Sequence, residues 1–553
     1  MATDGEQDPS SEAFWGLTDE QIDVLRAHGQ VRQTAAGEML FQQGDPTCDF
    51  FVVLEGEVEL VEPSVGTPRV IGVRTPREIV GELNLLMEEA TYLSAVVQKP
   101  GSVLAISADD LRTLVMNDPG FSDFLLRAFL LLRSHLVRLG AGLKIIGSHY
   151  SPDTRRLREF ASRSRLPHDW IDVENDPIAE SILRQFQIRP DETPVVVWKG
   201  TEIVRNPSNA ELAGILGIGD ELDPAGRYDL VIVGAGPGGL AAAVYGASEG
   251  LQTLVVESVA TGGQAGMASR IENYLGFPAG LSGVELASRA LMQADKFGAS
   301  IAVPRDAVAL RPDGHTFVVT LDDGEEIVGG SVILALGARY RKLGVPGEAE
   351  LEGANVYYAA TQVEAQVCQG QDVAIIGGGN SAGQAALFLA ERAKKVYLLA
   401  RCEDLGEDMS RYLVDRILST SNIEVLIRTS VQELVGEGEL TGITVEHKHT
   451  GDRRTIDVAA LFIFIGADAP TSWLADTLAL DEKGFVLTGP AVKTTPAWQE
   501  ASRDPFLFES SLPGVFAVGD VRSGAIRRAA SAVGEGSMAV RLCHAYLAET
   551  RGA

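Results

Sequence analysis

The clearest hydrophobic pattern in the chain is a strand–turn–helix–strand sequence that occurs twice. Its first copy spans Tyr228–Glu257 and its second spans Asp372–Arg401, each starting with a continuous apolar strand. A glycine-rich turn, an alanine-rich helix and a second apolar strand follow in both copies. Apolar strands that alternate with helices are typical of parallel sheets covered on both faces. The pattern therefore predicts two Rossmann-like α/β domains.

Two other patterns precede these copies. Residues 14–141 start with a helix-like stretch, continue as short alternating strands with Gly, Asp and Pro in the turns, and end in apolar residues at helical spacing. This pattern predicts an antiparallel β-roll closed by helices. Residues 142–219 have the order βαβα followed by a β-hairpin, which predicts a small α/β unit. A polar linker, GIGDELDPAGR, precedes Tyr228.

Length and charge exclude several classes of protein. At 553 residues the chain is too long for a single core, so several domains are expected. Its formal charge of −29, from 47 basic and 76 acidic residues, disfavours nucleic acid and anionic membranes as partners. No apolar segment is long enough to span a membrane, and the N-terminus has no signal-peptide pattern. A cytoplasmic protein is expected.

The four cysteines, Cys48, Cys368, Cys402 and Cys543, are far apart in the sequence. Their spacing fits neither a disulfide framework nor a zinc site, so no metal is predicted.

The first glycine-rich turn has the spacing of a dinucleotide site. Gly234, Gly236 and Gly239 let the backbone turn tightly and approach a pyrophosphate, while the helix N-terminus supplies free N–H groups. Glu257, at the end of the second strand, is placed to accept hydrogen bonds from the ribose hydroxyls of an adenosine.

The second turn differs from the first at the end of its second strand. The sequence pairs Gly377, Gly379 and Ala382 with Arg401, where the first copy has Glu257. A guanidinium attracts a 2′-phosphate and a carboxylate repels it, so this site predicts NADP(H) rather than NAD(H), with help from Arg411. The alternative is that Arg401 is a solvated charge at a strand end.

Two dinucleotide sites on one chain suggest one flavin and one nicotinamide, and two later segments resemble those that return the chain to the first domain in two-dinucleotide flavoproteins. Asp520, after the apolar strand GVFAV, is expected to hydrogen-bond the flavin ribityl chain. Ala529 and Ala530, which open the last predicted helix, are expected to direct backbone N–H groups at the pyrimidine end of the flavin. The first site therefore predicts FAD, and the second NADPH.

Residues 228–548 resemble the low-molecular-weight thioredoxin reductase family. The matching motifs are GAGPGG, Gly262-Gly263-Gln264, IENYLGFP with Asn273, GGGNSA and GVFAVGDVR. The resemblance implies an FAD domain made of residues 228–345 and 460–553, an NADPH domain inserted at residues 346–459, and a homodimer. It also implies hydride transfer from the nicotinamide to the flavin, and an NADPH domain that rotates.

The predicted site residues follow from these motifs. The FAD residues are Gly234, Gly236, Gly239, Glu257, Gly263, Gln264, Asn273, Asp520, Ala529 and Ala530. The NADPH residues are Gly377, Gly379, Asn380, Ser381, Ala382, Arg401 and Arg411. No catalytic residue is assigned, but Asn273, Tyr358 and Arg528 are candidates to lie beside the flavin.

The chain departs from this family at its redox-active pair. The C-x-x-C of thioredoxin reductases falls at Ala359 and Gln362, and Cys368 is a lone thiol several residues later. A relay from flavin to a protein disulfide is therefore not expected within this chain. Ferredoxin–NADP reductases of the same fold also lack the C-x-x-C.

The two N-terminal units carry resemblances of their own. Residues 14–141 are similar to the cyclic-nucleotide-binding domain through Gly81, Glu82, Leu83, Ser94 and Ala95, but Leu93 replaces the phosphate-binding arginine. Cyclic nucleotide is therefore not an expected ligand, since a buried phosphate needs a counter-charge. Residues 142–219 resemble a thioredoxin or glutaredoxin fold with Thr193-Pro194 at its cis-proline position. The loop that carries C-x-x-C in that fold is here Ser148–Pro152, without a thiol.

Two functions remain open from the sequence. The first is an FAD-dependent NADPH oxidoreductase whose acceptor is a quinone, dioxygen, a dye or a redox protein rather than an internal disulfide. The second is a non-catalytic sensor or scaffold that binds flavin and NADP(H).

Overall fold

The structure is a computed structural model. It describes residues 16–551 except residues 64–67, 83, 88, 140, 149, 177, 186, 200–201, 221, 223–225, 269–270, 272–273, 352–354, 359, 361–367 and 437–438. Among the described helices, none has the length and apolar character that crossing a membrane requires.

The N-terminal unit is an antiparallel β-roll covered by helices. Its two long strands, Phe50–Glu62 and Ser94–Ile106, pair with each other and bury one apolar face of the roll. The edge of the Phe129 ring packs against Phe50, with ring centroids 6.3 Å apart, so the last helix closes the core. The remaining strands are Gln30–Thr34, Met39–Phe41, Arg69–Arg74 and Ile79–Val80, and the helices are Asp19–Arg26, Asn84–Met87, Ala108–Asn117 and Pro119–Arg138.

The middle unit is a four-stranded mixed sheet with helices. Leu143–Gly147 runs parallel to His168–Asp172 and antiparallel to Val195–Trp198, which forms a hairpin with Glu202–Arg205. The order of elements agrees with the predicted βαβα-hairpin, and the Thr193–Pro194 peptide bond is cis. The helices are Pro152–Arg163, Ala179–Gln185 and Asn209–Leu216.

The first dinucleotide domain is built on a seven-stranded sheet. Arg227–Val233 lies in its middle, parallel to Thr253–Val256 on one side and to Glu326–Leu334 on the other. Val515–Ala517 returns from the far end of the chain to pair parallel with Glu326–Leu334, as the sequence predicts. The other strands are Ser300–Ala302, Ala307–Asp313 and Thr316–Leu321, and the helices are Pro237–Ser248, Gly283–Lys296, Pro496–Gln499 and Ala529–Arg551.

The second dinucleotide domain has a five-stranded parallel sheet. Its strand order is Val356–Tyr357, Ala460–Ile463, Asp372–Ile376, Lys395–Leu399 and Ile423–Leu426. The predicted boundary at residue 460 is therefore wrong, because Ala460–Ile463 pairs with Asp372–Ile376 and is buried in this sheet. The chain crosses between the domains later, where Arg339–Tyr340 pairs with Ala467–Asp468.

The remaining elements of this second domain complete its outer layers. The strands of its antiparallel sheet are Thr429–Val435, Gly442–His447 and Arg453–Asp457, and its helices are Glu348–Leu351, Asn380–Ala390 and Arg411–Ser419.

Side-chain contacts join the N-terminal units to each other and to the first dinucleotide domain. The Tyr92 ring lies in the core of the middle unit and meets the Trp198 ring edge-on at 5.5 Å. Arg165 of the middle unit donates to the carbonyl oxygen of Gly266 at 3.0 Å. An ion pair of 2.8 Å between Arg289 and Asp123 links the first dinucleotide domain to the β-roll.

Candidate functional site

The first glycine turn is a close-packed backbone cradle in which a side chain would collide with neighbouring backbone atoms. Gly234 has a φ of +107°, which favours glycine, and a Cβ on Gly239 would collide with the carbonyl oxygen of Gly234. Helix Pro237–Ser248 begins after Gly236, whose extended backbone brings no side-chain cap. The N–H groups of the first helical turn therefore remain available to an anion.

Glu257 lies directly beyond strand Thr253–Val256, at the edge of this cradle. It is 8% exposed, and its two carboxylate oxygens accept from the backbone N–H groups of Ala235 and Val259 at 2.8 and 3.1 Å. These bonds hold the carboxylate beside the glycine turn, where its remaining lone pairs can accept ribose hydroxyls.

A second loop closes on the same turn. A Cβ on Gly263 would lie 3.0 Å from Cα of Gly236, so the two glycine segments approach each other by their backbones. Gln264 donates from Nε2 to the carbonyl oxygen of Ala338, just before the linker strand Arg339–Tyr340. Asn273, the other residue predicted in this region, lies outside the described residues.

The C-terminal segment brings Asp520 to the first helix of the domain. A Cβ on Gly238 would lie 3.4 Å from Val518 and 3.2 Å from the carbonyl oxygen of Ala532, so the Asp520 turn and the last helix both pack there. Burial raises the pKa of the Asp520 carboxyl, and the nearby Arg527 opposes this shift. The last helix starts at Ala529, as predicted, with Ala530 and Arg528 exposed around its first turn.

Tyr340 is a residue near this site that the sequence analysis missed. Burial and the charge of Asp520 raise the pKa of its hydroxyl, and Arg527 lowers it, so the three groups are neighbours. Tyr340 stacks on Tyr358 with ring centroids 5.5 Å apart and planes 10° from parallel. The predicted flavin-side residue Tyr358 therefore contacts Tyr340, on whose hydroxyl the charge of Asp520 acts. The C-x-x-C positions Ala359 and Gln362 lie outside the described residues.

The second glycine turn repeats the design of the first. Gly377 has a φ of +151°, and helix Asn380–Ala390 begins after Gly379, which again brings no side-chain cap. Asn380 accepts at Oδ1 from the backbone N–H of Ser410 at 2.7 Å. Ser381 is exposed at the helix start and Ala382 is fully buried against the strand. Arg411 is exposed and pairs with Asp415 at 2.9 Å.

The predicted equivalence of Arg401 and Glu257 is wrong by one residue. Gly234 donates to the carbonyl oxygen of Val256, and Gly377 donates in the same way to that of Leu399. The residue that follows Leu399, and so matches Glu257, is the buried Ala400. Arg401 comes one position later, on the surface. The second site still differs from the first in the predicted sense, because an alanine replaces the carboxylate.

In the β-roll, the residues that match the cyclic-nucleotide motif bond to one another. Glu82 accepts at Oε1 from the backbone N–H of Leu93 at 3.0 Å, and Ser94 accepts at Oγ from that of Gln43 at 2.9 Å. Leu93 is fully buried in the apolar core, so no cation faces this place from the position of the family arginine. Gly81 and Ala95 flank the same core, and Leu83 lies outside the described residues.

The chain is similar to two protein families. The model of the family described as pyridine nucleotide-disulphide oxidoreductase matches residues 228–536, and that of the cyclic nucleotide-binding domain matches residues 31–118. The thioredoxin reductase of Treponema pallidum is 33% identical over 320 residues, which cover 58% of this chain and 97% of that protein. The thioredoxin reductase of Streptomyces clavuligerus is 34% identical over 327 residues, with coverages of 58% and 94%. A crystal structure of Streptococcus pyogenes thioredoxin reductase is 30% identical, with coverages of 58% and 99% and a TM-score of 0.49.

Proposed function

The chain belongs to the pyridine nucleotide-disulphide oxidoreductase family, and on this premise we propose that it passes electrons from NADPH through FAD to an acceptor other than an internal disulfide. At the level of the family it is an oxidoreductase of the thioredoxin reductase type, joined to an N-terminal cyclic nucleotide-binding domain. Family members use FAD and NADPH, which when bound supply a hydride acceptor and a hydride donor.

The residues of the first site fit FAD. Gly234, Gly239 and Gly263 let the backbone segments of the cradle approach one another more closely than a Cβ would allow, and an uncapped helix start lies beside them. Glu257 is positioned to accept hydrogen bonds from a ribose, and Val518, two residues before Asp520, packs on the same helix start at Gly238. These groups bind and orient a dinucleotide, and proximity is what hydride transfer chiefly requires.

The residues of the second site fit NADPH. Ala400 presents no carboxylate at the strand end, so the repulsion that a carboxylate in the position of Glu257 would exert on a 2′-phosphate is removed. Arg401 follows on the surface, where its guanidinium can reach the phosphate from the solvent side.

The environment of the cysteines carries the proposal of an external acceptor. Cys48, Cys402 and Cys543 are free thiols, and Cys368 is buried in the apolar core of the second dinucleotide domain. Burial raises the pKa of Cys48 and Cys402, and raises that of Cys543 to about 12. A thiol that stays protonated is a poor partner in disulfide exchange. These environments favour electron transfer to an external acceptor rather than to thiols of this chain.

Anaerobic mixing tests this function. NADPH is expected to abolish the visible absorbance of the bound flavin faster than NADH does. Adding oxidised thioredoxin, ferredoxin, a quinone or air separately then identifies the acceptor by the return of that absorbance. Bound flavin that neither nicotinamide reduces would instead favour the non-catalytic sensor or scaffold.

Replacing Arg401 with alanine is expected to weaken NADPH binding about tenfold, because the 2′-phosphate loses a charge-assisted hydrogen bond. Binding of NADH, which has no such phosphate, should stay the same. Titrating the full-length protein with each nucleotide measures both constants. Arg416→Ala, an exposed change on helix Arg411–Ser419, is the matched control. Equal losses for NADPH and NADH would remove Arg401 from the phosphate site.

The β-roll supports no proposal of cyclic-nucleotide binding. Leu93 supplies no charge, and the Glu82 and Ser94 side chains already accept backbone N–H groups. The homodimer that the family resemblance implies stays a prediction, which light scattering on the full-length protein would test.

A further inference from the structure

A cavity of about 460 Å³ lies between the middle unit and the first dinucleotide domain. Its volume is typical of small-molecule sites, which span about 300–1,000 Å³. Segment Ser208–Glu211 and Arg156 form the wall on the side of the middle unit. Ser258, Pro304, Asp306 and Asp322 form the opposite wall.

This opposite wall adjoins the backbone of Glu257, whose carboxylate is proposed to hold the adenosine ribose of FAD. Ser258 directly follows Glu257, and Arg305 donates its backbone N–H to the carbonyl oxygen of Glu257 at 2.8 Å. Pro304 and Asp306 flank Arg305 and line the cavity. Because the base of a nucleoside is joined directly to its ribose, a ribose at Glu257 places its base in or beside this cavity.

The charge of the cavity favours an uncharged base that carries N–H donors. Asp306 and Asp322 lie side by side, with the backbone N–H of Asp306 donating to Oδ1 of Asp322 at 3.3 Å. Two carboxylates would repel a phosphate but can accept from the amino group of a purine.

The charge of Arg156 is engaged within its own unit, where the guanidinium pairs with Asp153 at 3.4 Å. It also donates to the carbonyl oxygen of Pro207 at 2.9 Å, to Oδ1 of Asn209 at 3.0 Å and to Oδ1 of Asn206 at 2.9 Å. Arg156 therefore fixes the shape of the wall that the middle unit contributes.

The two walls are also held together beside the cavity. Val259 of the dinucleotide domain packs against the apolar core of the middle unit. Asp220, just after the middle unit, accepts the backbone N–H of Ile301 at 2.6 Å and donates its own to the carbonyl oxygen of Ile301 at 2.9 Å. The wall formed by the middle unit thus has a fixed position beside Glu257, whose carboxylate is proposed to hold the ribose.

We propose that segment Ser208–Glu211 is the outer wall of the adenine pocket of FAD, so that the middle unit, which has no thiols, retains the flavin cofactor. This inference rests on the proposed binding of FAD at the first site. It gives the middle unit a role that needs no redox chemistry of its own.

Filling the cavity tests the proposal without removing any hydrogen bond. Ala210 lines the cavity from helix Asn209–Leu216, and Ala210→Trp would occupy the space of the base. Gly214→Trp is the control on the same helix, because an added Cβ there meets nothing within 4 Å. Equilibrium dialysis of the full-length protein gives Kd for FAD and for FMN, which lacks the adenosine.

Ala210→Trp is expected to weaken FAD binding by at least about tenfold and to leave FMN binding unchanged. Gly214→Trp should change neither. Unchanged FAD binding, or equal losses of affinity for FAD and FMN, would overturn the proposed role of segment Ser208–Glu211 while leaving FAD as the cofactor. An unaltered protein that binds no FAD would overturn the proposed function as well.

A photoreactive FAD with an azide at C8 of its adenine provides a second readout on the unaltered protein. Labelling of a peptide that contains residues 206–211, found by mass spectrometry, is the expected result. Labelling confined to peptides of the dinucleotide domains would contradict the proposal.

Discussion

Replacing Arg133 with methionine is expected to lower the free energy of unfolding of the N-terminal half by about 3–5 kcal/mol. The Arg133 side chain is 7% exposed and pairs with Glu89 at 3.1 Å. Its guanidinium also lies 4.8 Å from the ring centre of Tyr92 and donates to the carbonyl oxygen of Arg165 at 3.4 Å. Methionine fills similar space but leaves the Glu89 carboxylate, itself 16% exposed, without its cation.

Urea unfolding followed by tryptophan fluorescence measures this loss. The double variant Arg133→Met/Glu89→Gln should recover much of it, because no unpaired buried charge remains. Arg311→Met breaks a pair whose side chains are 52% and 50% exposed, and should cost less than about 1 kcal/mol. A similar small loss for Arg133→Met would contradict the account of this buried pair.

The stability of the β-roll is expected to fall by about 3 kcal/mol as the pH rises from about 4.5 to about 7. Burial raises the pKa of Glu82 from 4.5 to about 7, although Arg133 and two backbone N–H groups act in the opposite direction. Between these values the folded state keeps a proton that the unfolded chain has lost. The stability that this proton contributes is therefore fully present below pH 4.5. It decreases as the pH rises, until Glu82 ionises in the folded state.

Glu82→Gln isolates this effect. The glutamine oxygen can still accept from the backbone N–H of Leu93, and the side chain cannot ionise. The variant should match the unaltered protein near pH 4.5 and exceed its stability at pH 8. Parallel stability curves for the two proteins from pH 4.5 to pH 8 would refute the assignment.

Local features of the sequence predict the two glycine turns well. Each turn depends on a few adjacent residues, because Gly234 and Gly377 need a backbone conformation that favours glycine and each helix starts one turn later. The start of the last helix at Ala529 was also predictable, because it too depends on adjacent residues.

Features that depend on pairing between distant segments were not predictable in the same way. The sequence analysis aligned Arg401 with Glu257, although Ala400 holds that position. The end of this strand is set by its pairing with the neighbouring strand Asp372–Ile376. The boundary at residue 460 failed because Ala460–Ile463 is buried in a sheet whose other strands lie far away in the sequence. Tyr340 was missed because Asp520, whose charge acts on its hydroxyl, lies far away in the sequence.

The role of the middle unit also lies beyond local sequence. The thioredoxin fold predicted for it from the sequence directs attention to the loop Ser148–Pro152, where no thiol is present. The cavity at Ser208–Glu211 exists only because two separate units are packed against each other.

The number of electrons that one chain accepts tests the central claim most directly. Anaerobic titration with NADPH, with free thiols counted before and after, measures this number. One equivalent of NADPH per bound flavin should complete the loss of flavin absorbance, and the thiol count should not change. Consumption of a second equivalent with two new thiols would contradict the account, because it would reveal a redox-active disulfide within the protein.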